Sequence, residues 1–207
     1  MLNFDEKRYL GIQAGAVALT GPIDEIIQTQ LAAGKKNLFF VGSGGAGILM
    51  EPAVRLLQTR STFPTFHEMP AELVEHGSVH LGADSLVVIP SLSGTTLESI
   101  QALEYAQGLG ATVLTLTGNA DAPLATQAAI NLVAHAADDT SCESFYVQSL
   151  MIALSIMRAR GEFDGYDGLR ARLNDLPAAL VVLKSAFEDR AAVIAQTIAA
   201  TDYHVVT

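Results

Sequence analysis

Four hydroxyls stand within six residues of the chain, at Ser91-Leu92-Ser93-Gly94-Thr95-Thr96, around a single glycine and with no lysine or arginine among them. Ahead of them runs Ser85-Leu86-Val87-Val88-Ile89-Pro90, apolar and β-branched as a buried parallel strand is. Behind them Leu97, Ile100 and Leu103 recur at helical spacing, with Glu98, Gln101 and Glu104 turned outward. The hydroxyls therefore belong to a loop that hands a strand over to a helix N-terminus, where backbone N–H groups are unpaired and the helix dipole is positive. One Ser or Thr suffices to cap a helix. Ser91, Ser93, Thr95 and Thr96 together exceed that need, and the chemistry they suit is the binding of an anion, phosphate above all.

A second loop of the same kind follows Asn37-Leu38-Phe39-Phe40-Val41 and reads Gly42-Ser43-Gly44-Gly45-Ala46-Gly47. Gly42, Gly44 and Gly47 satisfy G-x-G-x-x-G between a strand and a helix, and Glu68 follows near the end of a second strand, so a dinucleotide site is an alternative reading. That fingerprint is weak in a chain with 17 glycines, and it leaves the hydroxyl loop unexplained. Other reactive side chains are scattered. Glu143 is a weak acid–base candidate, and the reading to be preferred is a first-turn carboxylate facing a helix dipole. Glu72 is a second weak catalytic candidate. His76 and His80 are four apart, but Gly77 interrupts them and no third ligand is evident, so no metal is expected. Cys142 has no basic neighbour and reads as a small buried residue. His67, His135 and His204 sit near strand ends as satisfied polar groups.

The elements that must position these loops alternate. Strands are expected at 37–41, 64–67, 85–90, 112–116 and 130–134, with helices from Gly21-Pro22 to Gly34, from Gly47 through Leu57, after Thr96, and briefly from Pro123. Alternation of this kind predicts parallel pairing through right-handed crossovers, and ligands of such sheets lie beyond the carboxyl ends of the strands. Both loops are at carboxyl ends and are expected to share one pocket. An apolar helix covers 144–160, a polar turn 161–167, and helical segments around Pro177 cover 169–200. Tyr203-His204-Val205-Val206-Thr207 reads as a sixth strand.

Composition bounds the rest. The 207 residues are half hydrophobic, only 16% charged and without tryptophan, as expected of one large α/β domain. No apolar run reaches the length of a membrane helix, and Met1-Leu2-Asn3-Phe4-Asp5-Glu6-Lys7 lacks a signal-peptide pattern. The single cysteine agrees with a reducing compartment, so the expected location is cytoplasmic, with no membrane partner. A net charge of −10 argues against nucleic acid. It does not argue against a small phosphorylated ligand, because charges more than about 8 Å away are screened, whereas each charge-assisted hydrogen bond contributes about 1.5–3 kcal/mol.

Three features together resemble the sugar isomerase (SIS) phosphosugar-binding family, over about residues 25–207: Val41-Gly42-Ser43-Gly44-Gly45 after the first strand, Ala71-Glu72-Leu73 after the second, and Ser91-x-Ser93-Gly94-x-Thr96 after the third. The succession resembles the first half of double-SIS enzymes, such as the isomerase part of glucosamine-6-phosphate synthase and the fructosamine-6-phosphate deglycases. Ser141-Cys142-Glu143 stands where the synthase branch has Ser-Thr-Lys, which together with Ala120-Asp121-Ala122-Pro123 looks more like the deglycases. Gly44 and Leu92 stand where the synthase pattern has Ser and Gln. The resemblance implies a three-layer α-β-α sandwich with a five-stranded parallel sheet, flavodoxin-like. It implies phosphate contacts from Ser43, Ser91, Ser93 and Thr96, assisted by backbone N–H groups of Gly44, Gly94 and Thr95. The ligand would be a phosphorylated sugar or amino-sugar, with no cofactor.

The implied chemistry moves a proton between C1 and C2 of the opened sugar, which needs a tuned general base. In the family the catalytic Glu and His lie in the second half, so here they are expected from that half or from a neighbouring subunit. The expected organisation is an N-terminal helical segment (1–24), the SIS domain (25–160), helical linker or packing helices (161–202) and the start of a second SIS half (203–207). A non-catalytic sugar-phosphate sensor is the alternative. The apolar helices at 145–157 and 176–195 predict a homodimer.

Overall fold

The computed structural model describes residues 4–134 and 141–201. Helices α1 (Glu6–Ala18) and α2 (Thr20–Ala32) lead into strand β1 (Asn37–Val41), helices α3 (Gly44–Ile48) and α4 (Glu51–Arg60), strand β2 (Thr65–Glu68) and helix α5 (Pro70–His76). Strand β3 (Ser85–Ser91), helix α6 (Leu97–Gly108), strand β4 (Thr112–Thr117), helix α7 (Pro123–Gln127) and strand β5 (Ile130–Val133) follow. Helices α8 (Ser141–Ala159), α9 (Tyr166–Arg172) and α10 (Leu176–Ala199) come last, the final two joined by a 3₁₀ turn. The expected sixth strand, together with His135 and His204, lies outside the described residues.

All five strands pair in parallel in the order β2-β1-β3-β4-β5. The side-chain period of two divides each strand between two faces. Leu38, Phe40, Leu86, Val88, Leu114 and Leu116 pack towards α2, α4 and α8 in one cluster. Phe39, Val41, Val87, Ile89 and Val113 pack towards α5, α6 and α7 in the other. The result is a three-layer α-β-α sandwich with β3 at its centre, every residue of that strand buried.

Local corrections to the sequence reading have local causes. The single helix expected from Gly47 through Leu57 is two, because Pro52 lacks an N–H and restricts the residue before it, so the chain restarts as α4 with Pro52 in its first turn. The turn expected at 161–167 ends two residues early: Tyr166 opens α9 and is buried, accepting a hydrogen bond from Ser155 Oγ at 3.0 Å. Helix α8 is the long apolar helix expected. Ile152, Ala153 and Ile156 are buried along it, and Arg158 at its end pairs with the carboxylate of Asp24 on α2 at 2.8 Å. Among the described residues no helix is long and apolar enough to cross a membrane.

Candidate anion-binding site

Strand order decides where the site sits. From β1 the chain moves outward to β2, then returns past β1 to lay down β3 on the other side. Between the carboxyl ends of β1 and β3 the direction of winding reverses, and the loops leaving those strands part to opposite faces of the sheet, opening a crevice. The two loops singled out by their residues are the ones that leave β1 and β3. They line a cleft of about 560 Å³ with Ser43 and Ala46 on one side and Ser91, Ser93 and Thr96 on the other. Ser99, Gly118 and Asn119 also line it, and among the described residues no ionisable side chain does.

The hydroxyl loop is held open by its own hydrogen bonds. The Gly94 N–H donates to Ser91 Oγ at 3.2 Å, and the Thr95 N–H and Oγ1 donate to Ser93 Oγ at 3.3 and 3.0 Å. Ser91 Oγ and Thr96 Oγ1 are 3.4 Å apart. Outside the loop, the Gly118 N–H donates to Leu92 O at 2.9 Å, and the Leu124 N–H to Gly94 O at 3.0 Å. Gly94 takes φ +65° with its Cα against Ala122, a place and a conformation that exclude a side chain. Thr96 is the N-cap of α6, yet no side chain caps that helix. The Thr96 hydroxyl is thus turned to the cleft instead of to the first-turn N–H groups, which remain unsatisfied by a cap. Ser43 holds the same position before α3, again without a side-chain cap.

The glycine fingerprint of the first loop has a packing cause. A Cβ on Gly47 would stand 2.5 Å from Gly42 O, and one on Gly42 would stand 2.9 Å from Gly47 Cα, so these two glycines let α3 fold directly back onto the end of β1. Gly44 takes φ +56° to start that turn. The spacing that suggested a dinucleotide is accounted for by this contact. Of the backbone groups assigned to phosphate, those of Gly44, Gly94 and Thr95 belong to residues outside the cleft wall. Ser99 was missed, although it lies one helical turn after Thr96, the spacing that puts two side chains on one face. Asn119 was also missed, since nothing in a single sequence says that the loop after β4 folds over the one after β3.

The isolated candidates are elsewhere. Glu72 is exposed in the first turn of α5. Glu143 does lie in the first turn of α8 and accepts a hydrogen bond from Tyr9 Oη at 2.8 Å, but it lines a different cavity. His76 is exposed, and the His80 ring stacks on Phe66 with centroids 4.9 Å apart. His67 Nδ1 is 2.8 Å from Glu51 Oε2. Cys142 is exposed and not buried as its neighbours suggested, because it faces outward at the helix start.

Residues 31–158 match the family model of the SIS domain. The chain belongs to the SIS domain family. Arabinose 5-phosphate isomerase KdsD of Pseudomonas aeruginosa is 31% identical over 169 residues, 75% of this chain and 51% of that protein. Fructosamine deglycase FrlB of Bacillus subtilis is 33% identical over 93 residues, 44% of this chain and 28% of that protein. This SIS chain therefore spans about half the length of the first relative and little over a quarter of the second. Among solved structures, a candidate phosphosugar isomerase from Salmonella typhimurium superposes with a TM-score of 0.73 at 21% identity, over 83% of this chain and 53% of that one. The fold is thus that of about half of that structure.

Proposed function

We propose that the cleft between the carboxyl ends of β1 and β3 binds the phosphate of a sugar or amino-sugar phosphate, and that the protein acts in a sugar-phosphate deglycase or aldose–ketose isomerase reaction. The observation that carries the reading is the wall itself. Hydroxyls of Ser43, Ser91, Ser93, Thr96 and Ser99 converge at two uncapped helix starts, where a dianion is held by oriented dipoles and hydroxyls without a cation. The names of the two curated relatives, an arabinose 5-phosphate isomerase and a fructosamine deglycase, support the substrate class. In the reaction a base removes the C2 or C1 proton and returns it to the neighbouring carbon, with a donor at the carbonyl oxygen. Among the described residues no ionisable side chain lines the cleft, which supports a base supplied by a second SIS half or a neighbouring subunit. Replacing Ser91 and Ser93 by Ala is expected to weaken binding of fructose 6-phosphate by about ten- to a hundredfold, while free fructose binds as before. Equal losses for both sugars in a calorimetric titration would refute the reading.

That no acid or base lines the cleft among the described residues favours one other reading, a sensor that binds sugar phosphate without turnover. Incubation of the chain together with any second SIS half and partner subunit, with fructose 6-phosphate in deuterated water, separates the two. Deuterium at C2 marks an enzyme, and thermal stabilisation by the ligand without exchange marks a sensor.

A further inference from the structure

Between the start of α8 and the first turns of α10 lies a second cavity, of about 510 Å³, with a different chemistry. Leu49, Val147, Leu176 and Leu180 give it apolar walls, and Tyr146 stands at its edge. Among the described residues that line it, the one carboxylate is Glu143, half-buried in the first turn of α8. Tyr9 Oη donates to Glu143 Oε1 at 2.8 Å, and burial, with the bond to Glu143 and its negative charge, keeps that phenol protonated well above its ordinary range. Among the described residues no cation is paired with Glu143. Lys184, which reaches this corner from α10, places its Nζ over the Tyr9 ring, 4.7 Å from the centroid. Beside the dipole of α8, Glu143 has one neutral donor and an apolar surround, and a cationic donor is the strongest further partner such a carboxylate can take.

We propose that this cavity binds an ammonium group carried on an apolar body, the nitrogen on the Glu143 carboxylate and the alkyl or aryl part against Leu49, Val147, Leu176 and Leu180. The binding is independent of phosphate in the cleft. Ala46 in the cleft wall and Leu49 in this one are three residues apart, within about one helical turn.

The test is a titration of the whole chain with n-hexylammonium chloride and, separately, with 1-hexanol, followed by amide and methyl NMR shifts. Both probes lack phosphate, so the outcome does not depend on the cleft. The expected result is shifts clustered on Cys142, Val147, Leu176 and Leu180, with the amine binding about tenfold or more tighter than the alcohol. Glu143→Gln is expected to reduce the amine to the level of the alcohol while leaving alcohol binding unchanged. Equal affinity of the two probes for the unmodified chain overturns the proposal. So do shifts confined to other residues, or no amine binding at tens of millimolar. Should Glu143→Gln fail to fold, the comparison of amine with alcohol on the unmodified chain still decides.

Discussion

At Gly94 the backbone turns through φ +65°, and a Cβ built there would stand 2.5 Å from the Cβ of Ala122. The left-handed backbone and the contact act together, so Gly94→Ala is expected to cost about 1–3 kcal/mol in urea denaturation and to abolish stabilisation by sugar phosphate, since the loop must open. Unchanged stability would mean that the loop adapts and its shape is not fixed by this residue. Two tyrosines set the alkaline limit of the fold. Burial raises the hydroxyl of Tyr9, helped by its bond to Glu143 and the negative charge there. Burial likewise raises Tyr166, helped by the charge of Asp24 and opposed by the hydrogen bond with Ser155 and the charge of Arg170. Above about pH 10 the unfolded chain releases these protons and the folded chain retains them, so the native state binds more protons and stability falls as pH rises. Below that pH the contribution is fully present. Melting temperature is expected to fall steadily through this range, and Tyr9→Phe is expected to flatten the fall. An unaltered slope in the variant would assign the alkaline loss to other groups.

Elements hold the cleft through close approaches instead of through charges. Helix α3 is only one turn long and is fixed by its seat on β1, where Gly42 and Gly47 touch backbone to backbone. Gly47→Ala places a Cβ 2.5 Å from Gly42 O, which the chain relieves by lifting α3 away with Ser43 and Ala46. The expected outcome is a loss of about 1–3 kcal/mol of stability together with sugar-phosphate binding weakened about tenfold or more, read by denaturation and calorimetry on the same sample. Loss of stability with full binding would detach α3 from the site. Elsewhere the layers rest on ordinary burial. The faces of β3 were legible only as a continuous apolar run, because a strand covered on both sides shows no alternation. Which residues meet α8 and which meet α6 follows from the pleat once the neighbours are known.

At the scale of the whole molecule, α10 is the element the fold does not explain. Leu183, Phe187, Ile194 and Ile198 form an apolar stripe on its exposed face, each more than 40% accessible. We propose a homodimer in which two copies of this helix pair antiparallel about a two-fold axis near residue 190. Leu183 then meets Ile198 of the second copy and Phe187 meets Ile194, so the stripe is complementary to itself. Sedimentation is expected to give twice the 21.8 kDa of the chain, and Phe187→Asp with Ile194→Asp is expected to give the monomer with its fold intact. A monomeric unmodified chain would leave this face to a different partner.

The hydroxyl loop, its strand and its helix were legible in the sequence, because strand propensity, helical periodicity and the hydroxyl count are all local properties of the chain. The five strands followed from the same signals, with ends shifted by at most a residue or so. Three things were decided only by the tertiary structure. The strand order brought the loops after β1 and β3 to one crevice. The crossing of the β4 loop added Gly118 and Asn119 to its wall. The fold of α1 over α8 joined Tyr9 to Glu143, 134 residues apart. Contacts between residues so distant depend on which buried faces find each other, and that is settled by packing the whole core at once, which no local pattern encodes.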